Sequence, residues 1–286
     1  MSITVNTNMQ ALKVQQNLNS ATSKMNTAME RMSSGYKINR AKDDAAGFAV
    51  AATLDKTISG SKIAKSNVSM GDDLLQTAEG SLNVVKSNLE RIRDLTEQAA
   101  NGTYSAEDRE GIAKEIEARI EQIKNIGQTT AFNGKKLLNG DQSTGIDLQI
   151  GTEAGQTLTL SGDIFKSVDP TAAGDNSLAN LVTDIKDKTK GTADISAYLT
   201  KVDNQIKNVV GRITDVGAAS NRLESIGDTL EVQNTNMTSA LSTIKDADIA
   251  EESAKYVQQQ ILQSASATLL TQANSAPQIA LTLIQG

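Results

Sequence analysis

The sequence contains no cysteine and no histidine. Together those absences exclude Cys/His zinc sites, thiolate nucleophiles, every Ser-His-Asp arrangement and any disulfide framework. Serines and carboxylates remain, but they are spread over what read as solvated helix faces. No catalytic constellation, metal site or cofactor site is therefore expected. There is no tryptophan, and three phenylalanines and four tyrosines in 286 residues leave an aliphatic, thin core. Only two prolines, Pro170 and Pro277, stand in the way of long unbroken helices. No apolar run approaches the ~18 residues of a membrane span. The start, Met1-Ser-Ile-Thr-Val, lacks a basic segment followed by an apolar one, so no cleaved secretory signal is expected. A formal net charge of −6, with no basic stripe interleaved with aromatics, argues against a nucleic-acid binder.

What is present is periodicity. Over 54–99, alternating steps of three and four pick out Leu54, Thr57, Ser61, Ala64, Val68, Gly71, Leu75, Ala78, Leu82, Val85, Leu89, Ile92, Thr96 and Ala99. A second seam of equal length runs Leu199, Val202, Ile206, Val209, Ile213, Val216, Ser220, Leu223, Gly227, Leu230, Asn234, Met237, Leu241 and Ile244. Such stepping keeps one stripe toward a partner helix, and each seam is roughly 68 Å long at the α-helical rise. Two matched seams in one chain most simply pack on each other.

The rest of the chain frames these seams. Residues 6–33 read as an amphipathic helix with a narrow stripe of Ala11, Val14, Leu18, Ala21, Met25, Ala28 and Met32, too thin to order itself without a partner. Residues 33–47 break the period, with Gly35 permitting the break and Asp43 or Asp44 capping the next helix. That helix stops at Asn101-Gly102, a turn dipeptide. Ser105-Ala-Glu-Asp108 resembles a capping box before a third helix with Ile112, Ile116, Ile120 and Ile123 on one face and Gly127 at its end. Residues 146–150 and 157–160 alternate apolar and polar side chains across a Gly151–Gly155 connection, a hairpin pattern. The segment 166–193 reads as loops with one short helix, exposed at a tip. The last helix, from about Asp248 to Ile284, carries Ala254, Val257, Ile261, Ala265, Leu269, Ala273, Ala276, Ala280 and Leu283, with Leu262, Leu270, Ile279 and Ile284 beside them. It is apolar on more than one face, and one intramolecular partner would not cover it. With almost no Lys or Arg, it is a weak candidate for a membrane surface.

The expected class is mainly α: an elongated antiparallel coiled-coil helical bundle with a small β-hairpin region. The expected parts are 1–46, an N-terminal helix and connector; 47–140 and 194–244, the two halves of the long-helix bundle; 141–193, hairpin and short tip; and 245–286, the C-terminal helix. Apolar surface at both ends that neither the chain nor a symmetric dimer closes makes head-to-tail contacts, which generate open helical filaments. The residues expected to make those contacts are Val14, Leu18, Met25, Met32, Val257, Ile261, Leu262, Leu269, Leu270, Ile279 and Leu283.

Several motifs carry a resemblance. Residues 31–51, Arg-Met-Ser-Ser-Gly-Tyr-Lys-Ile-Asn-Arg-Ala-Lys-Asp-Asp-Ala-Ala-Gly-Phe-Ala-Val-Ala, resemble the signature of bacterial flagellins. So do residues 75–80, 132–138, 148–151 and 244–251, and the ending Leu269-Leu-Thr-Gln-Ala-Asn followed by Leu281-Thr-Leu-Ile. The likeness covers roughly 1–165 and 195–286, in order. It implies a structural subunit of the extracellular flagellar filament, exported unfolded by the flagellar type III system and added beneath a cap protein. It implies an inner tube from 1–33 and 250–286 and an outer tube from 47–128 and 199–244. As partners it implies copies of itself, the cap and hook-junction proteins, and a cytoplasmic export chaperone. It also implies a host Toll-like receptor, for which Arg91, Leu95 and Glu115 are the candidate contacts. Glu90, Asp94 and Glu97 stand where strongly sensed members often differ. A hook–filament junction protein of the same axial family and a cytoplasmic coiled-coil scaffold remain the alternatives.

Overall fold

In a computed structural model, which describes residues 7–187 and 190–285 with side chains to Ser275, the chain is mainly helical. The helices are α1 (Met9–Ser34), α2 (Ala45–Ala99), α3 (Ala106–Thr129), α4 (Leu181–Lys186), α5 (Thr192–Lys245) and α6 (Ile249–Gln285). Four short strands, β1 (Ala131–Phe132), β2 (Lys135–Lys136), β3 (Ile146–Gln149) and β4 (Thr157–Leu160), form two separate antiparallel pairs, with a 3-10 turn at Gly162–Phe165. The chain divides into two compact units, 59–234 and a second made of 1–58 with 235–286.

The 59–234 unit is an aliphatic bundle. Leu75, Leu82, Val85, Leu89 and Ile92 of α2 are buried with Val202, Val209, Val216 and Leu223 of α5, so the two expected seams do meet a common core. Along α5 the burial begins earlier than Leu199, at Ile195 and Tyr198, which continue the same stepping backward. Helix α3 adds Ala113, Ile116, Ile120 and Ile123. It starts where the capping box placed it: the Ser105 hydroxyl accepts from the Asp108 amide, and the Asp108 carboxylate accepts from Ser105. Gly127, however, does not end this helix, which runs on to Thr129. It lies where the helix touches the following segment, and a Cβ there would stand 2.9 Å from Val168 Cγ2.

The hairpin forms as its alternation required, with Ile146 opposite Leu160 and Gln149 opposite Thr157. It lies on α2: the Asn67 side chain donates to the Gln149 carbonyl (3.0 Å), and a methyl at Gly71 would collide with Leu148. The β1–β2 pair was not anticipated. Its two-residue turn is Asn133-Gly134, both with positive φ (46° and 79°), as a type I′ hairpin demands.

The segment 166–193 is not a bare tip, contrary to expectation. Val168, Leu178, Leu181 and Ile185 enter the core, and α4 packs on α3. Arg212 fastens the start of the segment, its guanidinium donating to the carbonyls of Ile164 (2.8 Å) and Lys166 (2.6 Å). Burial pulls this guanidinium down to about 10, opposed by nearby Asp163, so it stays cationic at neutral pH. The Tyr198 hydroxyl donates to Asp184 of α4 at 2.7 Å. Burial first, and that carboxylate second, push the phenol up to about 12.

Candidate functional site

In the unit of 1–58 and 235–286, the chain passes from α1 to α2 and from α5 to α6 through two connectors joined by their backbones. Lys37 donates to the Lys245 carbonyl (2.7 Å), and Ala247 donates to that of Gly35 (2.9 Å). Gly35 ends α1 in a left-handed conformation (φ 74°), with its amide donating to Arg31. Asp44 caps α2, accepting from the amides of Ala46 (3.1 Å) and Gly47 (3.0 Å), while Asp43 closes the preceding loop by accepting from Arg40. Lys245 bonds Asp55 at 3.1 Å and sits over the Tyr36 ring.

From these connectors α1 and α6 run antiparallel, packed along their lengths. The polar contacts set the pairing: Arg31 with Glu252 (3.2 Å), Thr22 with Gln263 (3.0 Å), and the Asn8 amide with the Ala273 carbonyl (2.7 Å). The α1 stripe points as expected, with Ala21 and Ala28 buried and Val14, Leu18, Met25 and Met32 half-buried on the shielded side. The arrangement of α6 is the surprise. Its shielded positions step Glu252, Tyr256, Gln259, Gln263, Ser266, Leu270 and Ala273, a line that is largely polar or small. From Ala254 to Leu269 the apolar row expected from sequence lies roughly on the opposite face at 100° per residue, and that stretch is bare, whereas Ala273, its next member, is buried on the shielded line. Val257 is 51% exposed, Ile261 63%, Leu262 46% and Leu269 57%. Ala254 and Ala265 are exposed beside them. Ile279 and Leu283 lie outside the residues whose side chains are described.

The candidates for contact thus fall into two groups. Val14, Leu18, Met25, Met32 and Leu270 are partly covered inside this unit, whereas Val257, Ile261, Leu262 and Leu269 face water. Exposed Met9, Leu12 and Met29 on α1 enlarge the apolar surface. Glu252, which is 5% exposed, is not among the contact residues expected from sequence. The signal was available: the shielded line steps four and three as regularly as any apolar seam, but its polar residues hid it.

A second group lies in the other unit. Arg91 of α2 grips Glu115 of α3 through two hydrogen bonds, Nε to Oε1 at 2.9 Å and Nη2 to Oε2 at 3.2 Å. The hydrogen bond from Arg91 is the main reason that the Glu115 carboxyl lies below its ordinary range. Both side chains are partly exposed and could meet a partner. Leu95 could not. It is 1% exposed and packed in the core, so, contrary to expectation, it is not a surface contact. Among the described residues no cluster of side chains is suited to a metal ion, and no helix is long and apolar enough to cross a membrane.

Residues 5–143 match the bacterial flagellin N-terminal helical region, and residues 199–284 match the bacterial flagellin C-terminal helical region. The chain is 37% identical to a flagellin of Bacillus subtilis (strain 168), over 98% of this chain and 99% of that one. It is 36% identical to a flagellin of Halalkalibacterium halodurans, again over 98% and 99%. Among solved structures, a flagellar hook-associated protein from Vibrio parahaemolyticus superposes with a TM-score of 0.62, over 71% of this chain and all of that one. At 17% identity that likeness concerns the fold alone.

Proposed function

The chain belongs to the bacterial flagellins, the structural subunits of the flagellar filament, and from that premise we propose that the bare apolar face of α6 is the surface through which its copies assemble. The observation that carries this reading is the outward row Val257, Ile261, Leu262 and Leu269 on a helix whose own partner covers the other side. Apolar side chains left in water by one molecule gain about 25 cal/mol per Å2 when a neighbour covers them. A patch that does not match itself builds a filament rather than a closed dimer. The half-buried α1 residues Val14, Leu18, Met25 and Met32 then serve the assembly indirectly, by seating α6.

On the same reading, the helices of 1–46 and 245–286 line the inner tube. The long-helix halves 47–140 and 194–244 form the outer one, with 141–193 on its surface. The subunit works outside the cell and catalyses nothing. It leaves through the flagellar export channel with the help of a chaperone for the C-terminal helix, and joins the filament between the hook-junction proteins and the cap. If a host Toll-like receptor engages it, Arg91 and Glu115 offer the polar contact, while Leu95 shapes that face from beneath. Neither a junction protein nor a cytoplasmic scaffold is favoured over the filament subunit: full-length identity runs to flagellins, and the hook-associated likeness is one of fold.

The test is the double variant Ile261→Asp with Leu269→Asp. Purified variant should form no filaments by negative-stain electron microscopy at concentrations where the parent polymerises, while the thermal transition of the 59–234 unit stays in place. Filaments at the parent's concentration would overturn the assignment of α6.

A further inference from the structure

Hydrophobicity alone would turn α6 the other way. Its shielded line offers α1 only Tyr256, Leu270 and Ala273 among polar residues, whereas its opposite face offers Ala254, Val257, Ile261, Ala265 and Leu269. Rotating α6 by about half a turn would bury that richer face on α1 and leave the glutamines in water. The apolar stripe of α1 does not oppose this, since small and unbranched side chains accept many partners. Something other than burial holds α6 with its apolar row outward.

The one charged side chain buried between the two helices is Glu252, among the described residues. Its Oε1 accepts from Arg31 Nη1 at 3.2 Å and from Lys255 Nζ at 3.0 Å, so one carboxylate oxygen joins α1 to α6 and is braced from its own helix. Exposed Glu251 draws the same lysine at 2.8 Å from outside. A buried ion pair contributes little to net stability, because desolvating both charges consumes most of the attraction. Breaking one is costly, since it strands a charge. Here the carboxylate is the buried member, its side chain 6% exposed against 27% for Arg31. The pair therefore discriminates between arrangements: a rotated α6 would give up the Arg31 bond and set that guanidinium against apolar side chains. The backbone bridge at Gly35–Lys37 and Lys245–Ala247 fixes where the helices leave the connectors, and the Thr22–Gln263 and Asn8–Ala273 bonds lie on the same shielded line but carry no charge.

We propose that Glu252, paired with Arg31, is the rotational lock of α6, the positioning residue that keeps the polar face inward and so presents the apolar row to neighbouring subunits. The proposal rests on the assembly reading above, since that row is the surface presented.

The chain has no cysteine of its own, so introduced pairs report the rotation directly. Thr22→Cys with Gln263→Cys joins side chains already in contact, and Thr22→Cys with Ala265→Cys reports the turned face. With Glu252 intact, the first pair should cross-link and the second should not. Glu252→Leu should reverse the preference and raise the concentration needed for polymerisation at least about tenfold. Glu252→Gln, which keeps the shape but not the charge, should shift both in the same direction by less. Glu251→Leu should leave both at parental values.

Retention of the 22–263 cross-link in Glu252→Leu, with or without assembly, would overturn the lock. So would an equal shift in Glu251→Leu, because added apolar surface rather than the lost pairing would then be the cause. Should the parent chain itself form no filaments, the assembly reading fails, while the cross-link comparison still decides the rotation.

Discussion

The two units use the same three-and-four stepping and treat it in opposite ways. In the 59–234 unit the α2 seam is closed from water from Ser61 to Ala99, α5 closes every second stepped position (Val202, Val209, Val216, Leu223 and Leu230), and α3 adds Ile116 and Ile123. In the unit of 1–58 and 235–286 the seams go on with less burial. Met237, Leu241 and Ile244 are only half-covered, as are Leu54 and Thr57, and the richest row of α6 faces solvent. The difference is one of partners. Two long helices, α3, α4 and a hairpin surround one core, whereas α1 brings α6 little more than alanines and methionines. Periodicity therefore identifies a surface that must be covered without saying whether the same molecule covers it.

The largest test of this contrast removes α6. Deleting residues 250–286 should abolish polymerisation while leaving the circular-dichroism melt of the 59–234 unit intact, because among the described residues its core takes no side chain from α6. Filaments from the truncated chain, or collapse of that melt, would erase the distinction between the units.

Matched substitutions sharpen it further. Ile116→Ala, in a fully buried site, should cost about 2–5 kcal/mol of unfolding free energy by transfer and cavity together. Leu269→Ala, of similar chemistry but exposed, should change the stability of the dilute chain by less than about 0.5 kcal/mol and appear only as weaker polymerisation. Denaturant titration of both variants below the polymerising concentration makes the comparison. Comparable losses at the two sites would mean that α6 is already covered in the single molecule.

A smaller effect is expected where the hairpin meets α2. Gly71→Val should cost about 1–3 kcal/mol, since the side chain must displace Leu148, and hydrogen exchange should quicken first in 146–160. Unchanged protection there would mean that the hairpin yields without leaving the helix.

How much of this was legible in the sequence follows from what each signal depends on. The seams, the Ser105–Asp108 cap, the stop at Asn101-Gly102 and the hairpin are local patterns, and each formed as read. Asn133-Gly134 was equally local, a turn signal between short runs, and was passed over because two-residue strands hold little periodicity. Gly127 was misread because a glycine near a helix end serves either the cap or a close contact, and only the position of Val168 decides which. The 166–193 segment packs inward through Val168, Leu178, Leu181 and Ile185; the last three step three and four, but over too short a span to announce a packed helix. The orientation of α6 was least legible of all. Its apolar row was seen as more than one partner could cover, but the face that meets α1 carries Glu252, bonded to Arg31 221 residues away, and no local pattern announces that pairing.

The smallest expected effect concerns pH, and it separates the units by where their carboxylates are engaged. Glu115 is held below its ordinary value of 4.5, chiefly by the hydrogen bond from Arg91, and Asp108 below 3.8 by its bonds with Ser105. A carboxyl that binds its proton less readily when folded than when unfolded stabilises the fold above the unfolded value. That contribution is lost as pH falls through the folded one. The melting temperature of the 59–234 unit should therefore decline from about pH 5 downward, and Glu115→Gln should flatten part of that decline while lowering the plateau slightly. The change is small because both partners of the pair are substantially exposed and screened by solvent. A pH profile of Glu115→Gln identical in slope to the parent's would show that Arg91 gains nothing from the charge and that the two-point contact matters only for its geometry.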